Sequence, residues 1–149
     1  MSEAERKASE AILRIFNDEL IALGETPIRE NASFREDDAY LGIFPVYHLE
    51  MENVAPLTFL FGSVFDVSLG PFTELVQFDM NDYDDLILRA TIRRLLMSCV
   101  TVRSALWAIA IELTLPGQAK PWSRHWIQGH RQGKSLVGTY QPFIQDPPH

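Results

Sequence analysis

The sequence predicts an α+β domain: an antiparallel sheet of about four or more strands with two main helices packed on one side, followed by an extended C-terminal arm. Two stretches of helical period, one at the N-terminus and one after Asn81, enclose strict apolar alternation between Leu57 and Met80. Beyond Gly117 the periodicity weakens and the local charge changes sign. These observations divide the chain into a body over residues 1–116 and an arm over 117–149 that packs on it.

In the first helix, Ser2 with Glu5 three positions on forms a capping box. Ala8, Ile12, Ile15, Phe16, Leu20 and Leu23 then recur at helical spacing until Gly24, which predicts about 20 residues of helix with one buried side. Residues 25–38 are polar and read as a loop or a frayed strand. Leu41, Ile43, Tyr47, Leu49 and Met51 alternate, and Pro45 marks that strand as an edge or a bulge.

The hairpin is the clearest signal. Leu57, Phe59, Phe61, Phe65, Val67 and Leu69 share one parity; Phe72, Val76, Phe78 and Met80 continue the stripe beyond the Gly70-Pro71 turn. This reads as two long strands with one face buried. From Asn81 the period becomes helical, with Leu88, Ile92, Leu95 and Leu96 on one side. Asp82, Asp84 and Asp85 precede Arg93 and Arg94, an order that suits the helix dipole, with Asn81 or Asp82 as the expected N-cap. Cys99 to Val102 fits either a helix end or a short strand. Ala105 to Leu115 alternates and reads as a central strand before Pro116-Gly117, although a buried helix would give a similar apolar run.

Residues 117–149 hold four Lys or Arg and one acid, a net +3, whereas residues 1–116 hold nine and nineteen, a net −10. The arm carries Trp122, Trp126, Tyr140 and Phe143 and should lie on the acidic body through these rings. With 149 residues and 46% apolar content, the chain is long enough for one self-sufficient core. A net charge of −7 disfavours nucleic acid and anionic membrane as partners and favours a basic protein. The single Cys99 rules out an internal disulfide framework. The polar first residues lack a signal-peptide core and no run reaches membrane-spanning length, so a cytoplasmic location is expected.

No catalytic or cofactor signature emerges, so the expectation is a non-enzymatic protein with no cofactor and no metal. Gly129 to Ser135 has three residues between its glycines where a phosphate loop needs four, and no strand leads into it. His125 and His130 are five apart, unlike helical zinc ligands, with His48 and His149 elsewhere. Counting a calcium loop from Asp79 places Asp84 and Ala90 where glycine and glutamate belong. Cys99 reads as inert packing at a buried helix end. A polar pocket joining His48, His125 or His130 to a carboxylate would instead favour a hydrolase or transferase with a dispersed site. The surfaces left for a partner are the acidic groups Glu36, Asp37, Asp38 and Asp82, Asp84, Asp85, together with Trp122 and Trp126.

The segment Val64-Phe65-Asp66-Val67-Ser68-Leu69-Gly70-Pro71-Phe72-Thr73-Glu74-Leu75-Val76-Gln77-Phe78, followed by an acid-capped helix, resembles a pattern in small bacterial immunity proteins of polymorphic and contact-dependent toxin systems. That resemblance covers about a quarter of the chain. It implies an acidic, cytoplasmic, non-enzymatic protein that neutralises a cognate toxin by direct binding. The order of elements is also similar to that of small acidic secretion chaperones, which implies a possible homodimer that holds an effector.

Overall fold

The computed structural model describes residues 2–40, 43–104, 108–127 and 135–145. It is α+β, but the nine strands among the described residues form two antiparallel sheets where the periodicity suggested one. The five-stranded sheet has the order β1 (Phe34–Glu36), β2 (Val46–Leu49), β3 (Leu57–Phe61), β4 (Val64–Leu69), β5 (Phe72–Asp79). The four-stranded sheet has the order β8 (Trp122–Ile127), β7 (Ala108–Thr114), β6 (Cys99–Ser104), β9 (Gly138–Tyr140).

Helix α1 (Glu3–Ala22) begins with the expected capping box, and Gly24 follows it with a φ of 88°. Its buried stripe drives Phe16 into a cluster with Phe34, Phe59, Phe61 and Phe65, ring centroids lying 5.1–6.3 Å from that of Phe16. Ser9, buried on the same side, donates its hydroxyl to the Phe61 carbonyl at 2.7 Å. Helix α2 (Asp85–Met97) buries Leu88, Ile92, Leu95 and Leu96, as its period requires, and packs against β7. Glu19 of α1 is buried and accepts from Arg89 and Arg93 of α2, so a carboxylate that desolvation would penalise is paired across the helix interface.

The residues from Leu57 to Leu69 are two strands, because the chain reverses at Gly62-Ser63 and Phe61 pairs with Phe65. Residues opposite one another in an antiparallel pair share a face, so odd positions stay inward on both sides of this turn and the parity conceals it. The N-cap of α2 is Asp84, whose carboxylate accepts from the Ile87 amide at 3.1 Å; Asn81 instead sits in the preceding turn.

The Gly70-Pro71 turn forms as expected, with Gly70 at a φ of 57° and Leu69 paired to Phe72. Beyond it β5 is irregular. Val67 pairs with Val76 and Leu69 with Phe72, so two steps along β4 match four along β5, and Glu74 takes a left-handed φ of 56°. The irregularity buries both Leu75 and Val76.

The expected C-terminal arm is extended and joins the body as sheet: β8 pairs with β7 and β9 with β6. In the second sheet Val100, Val102, Ile109, Ile111 and Leu113 face the common core. Trp122 and Trp126 pair with Leu113 and Ile109 and pack half-buried on that side. The two sheets meet where the Trp126 ring lies 5.2 Å from Phe72 and where Phe143 lies 5.3 Å from Phe34. Arg124 stands over the Trp126 ring and donates to the Leu75 carbonyl at 3.4 Å, tying β8 to β5.

Candidate functional site

The inward face of the five-stranded sheet is filled by rings, so alternation sends its polar residues outward. Register then lines them up across strands: Arg35 opposes His48, His48 opposes Thr58, and Thr58 opposes Ser68. Around this row lies a cavity of about 210 Å³, lined by Asp37, Val46, His48, Thr58, Leu60, Asp66, Ser68 and Thr73.

His48 is held on both sides. Its Nε2 is 2.8 Å from Asp37 Oδ2, and its Nδ1 is 2.9 Å from Thr58 Oγ1. The His48 hydrogen bond and the Ala39 amide hold the Asp37 carboxyl below the usual aspartate range, so Asp37 accepts and Nε2 carries the proton. In the neutral ring Nδ1 then accepts from the Thr58 hydroxyl. Asp66 behaves in the opposite way. Burial and the nearby Glu74 push its carboxyl above the ordinary range, outweighing backbone hydrogen bonds at Glu74 and Val67 and the charge of Arg124. Its Oδ1 is buried with no hydrogen-bond partner.

The chain Thr58–His48–Asp37 has the donor order of a hydroxyl activated by an imidazole. Thr58 nevertheless lies within a strand, where backbone amides point along the sheet plane to neighbouring strands. They are not directed at an oxyanion above the face, which is where acyl transfer needs donors.

A second surface lies at the start of α2. Leu86 and Ile87 are 78% and 58% exposed, on the side of the helix turned away from Leu88 and Leu95. Asp82, Asp84 and Asp85 precede them in sequence and are exposed. Asp84 is also the N-cap, and Asp85 accepts from Arg89 at 2.9 Å, whereas Asp82 has only a backbone turn contact to Asp79.

The other acidic group divides. Glu36 ends β1 and Asp38 begins a short 3₁₀ turn, both exposed, while Asp37 is partly buried and bonded to His48. Among the described residues no group of three or more His, Cys, Asp or Glu is arranged to hold a metal. His125 is exposed on β8; His130, His149 and residues 129–134 lie outside the described residues. The placement of Cys99 is corrected: it is exposed and opens β6, because the α2 helix ends before it.

Thr58, Asp66, Ser68, Leu86 and Ile87 are not among the residues that the sequence alone singles out. The first three stand on the even parity of the β3–β4 hairpin and were legible as an outward polar row. Leu86 and Ile87 fall off the buried helical stripe, which is the signal that marks them as exposed.

No protein-family model matches this chain, and no curated protein or solved structure matches it.

Proposed function

We propose that this chain is a non-enzymatic binding protein that neutralises a basic protein partner, as an immunity protein does its toxin. The observation that carries the proposal is the Leu86–Ile87 pair, two large apolar side chains exposed within an acidic helix turn. Interface anchors are apolar groups that lose water on docking, with charged residues at their rim to select and orient the partner. Here the rim is Asp82, Asp84 and Asp85, and the remaining acids Glu36 and Asp38 add to the negative field of a chain with net charge −7. Trp122 and Trp126 serve this reading by fixing the body, since both pack on their own core.

The test is co-expression with the product of the gene directly upstream. Growth should be arrested by that product alone and restored by this chain. Leu86→Asp with Ile87→Asp should weaken a purified complex by at least about 30-fold, the equivalent of about 2 kcal/mol for loss of an anchor. Undiminished affinity in a calorimetric titration would sink the surface. Restoration by the unaltered chain without any complex would sink neutralisation by binding.

One observation favours a second reading, a hydrolase: the Thr58–His48–Asp37 chain. Ester hydrolysis that disappears in both Thr58→Val and His48→Gln, with the fold intact by circular dichroism, would establish it.

A further inference from the structure

We propose that the cavity on the outer face of the five-stranded sheet receives an arginine side chain presented by the protein partner. The inference rests on the binding reading above and adds to it the chemistry of a specific contact.

His48 has both ring nitrogens engaged, by Asp37 and by Thr58. Once the Thr58 hydroxyl has given its hydrogen to His48, its oxygen retains acceptor capacity. The Ser68 and Thr73 hydroxyls make no hydrogen bond to another described residue. Asp66 contributes a carboxylate whose Oδ1 has no partner. Among the described residues lining the cavity there is no Lys or Arg. Ser68 and Thr73 can each donate as well as accept, but the Thr58 oxygen and Asp66 can only accept, so acceptors outnumber donors and the walls suit a ligand rich in donors.

A guanidinium has five N–H donors and no acceptor. Its methylene stem needs an aliphatic wall, and Val46 and Leu60 line one part of the cavity. The size agrees. A volume of about 210 Å³ is below the roughly 300–1,000 Å³ of sites that enclose a whole small molecule, and suits one side chain entering from outside. An anionic ligand would meet Asp37 and Asp66 directly, whereas the nearby cations, Arg35 opposite His48 and Arg124, stand outside the lining.

The probe is N-acetyl-L-arginine amide, titrated into the full chain while the His48 ring and Thr58 methyl resonances are followed by NMR. The neutral control is the corresponding citrulline amide, which keeps the shape and removes the charge. Saturable shifts are expected with the arginine derivative, with citrulline at least about tenfold weaker, as loss of a charged hydrogen-bonding partner implies. Asp66→Asn should weaken the arginine derivative by a similar factor, and Lys7→Gln, at an exposed position of α1 on the other side of the sheet, should leave it unchanged. If Asp66→Asn does not fold, Thr73→Val at an exposed position should weaken it about threefold, one neutral hydrogen bond's worth.

Equal shifts with citrulline, or no saturable shift with arginine, overturn the inference. A chain that neutralises its partner but shows no arginine shift discards the pocket and leaves the binding proposal standing. Arginine uptake by a chain that binds no protein leaves a guanidinium pocket and removes its protein source.

Discussion

The two sheets face the same core with different side chains. The five-stranded sheet contributes Phe59, Phe61 and Phe65, which close around Phe16 from α1, several pairs edge to face. The four-stranded sheet contributes Val100, Val102, Ile109, Ile111 and Leu113, and keeps its rings Trp122, Trp126 and Tyr140 half-buried at the margin. Edge-to-face rings prefer particular orientations beyond their area, whereas aliphatic side chains mainly require volume. The first sheet is thus the oriented half of the core. The second is adaptable inside and joined to the first at its rim.

That contrast can be broken by truncation. Phe16→Ala removes the ring common to four aromatic pairs and should cost about 3–5 kcal/mol in urea unfolding, close to the whole stability of a modest domain. Ile111→Val in the second sheet should cost only about 0.5–1.5 kcal/mol by the same measurement. Equal losses would erase the distinction. Trp126→Ala tests the rim: about 1–2 kcal/mol is expected, less than a fully buried ring because the indole is half-exposed. Amide exchange should accelerate in β8 ahead of β3, which sharpens the comparison from energy to location.

Two aspartates extend the contrast to pH. Asp37 has its folded pKa lowered, so its stabilising effect is present above the unfolded aspartate value, about 4, and is lost as pH falls through the folded one. Asp66 has its folded pKa raised, so its effect is present below about 4 and is lost as pH rises through the folded value. Asp66→Asn should therefore gain stability relative to the parent chain between pH 4 and neutrality in a thermal melt series. A constant difference across that range would refute the assignment. The smallest effect belongs to Leu86→Asp, which should shift stability by less than about 0.5 kcal/mol because the side chain is exposed.

Both helices were legible because their buried stripes run for several turns and Ser2 with Glu5 marks a start. The hairpin from Leu57 was only half legible. Gly62-Ser63 is a turn signal, but Phe61 and Phe65 remain on one face across it, so the hydrophobic pattern ran through without a break. The cap of α2 was misplaced by two or three residues because four of the five positions from Asn81 to Asp85 can cap, and only Asp84 reaches the Ile87 amide. In the tail, Trp122, Arg124 and Trp126 alternate, a strand period that Gly and Pro on either side obscured. The acids were legible as charge, but not as partners: which of them cap, pair with arginine or turn toward His48 depends on contacts between distant segments.

The irregular course of β5 has a bearing on how this molecule avoids joining its own kind. An outermost strand of eight residues with a free hydrogen-bonding margin would invite another polypeptide to zip alongside. The left-handed turn of the main chain at Glu74 interrupts that margin, and Arg124 occupies the Leu75 carbonyl. Self-templating along this border is thereby discouraged.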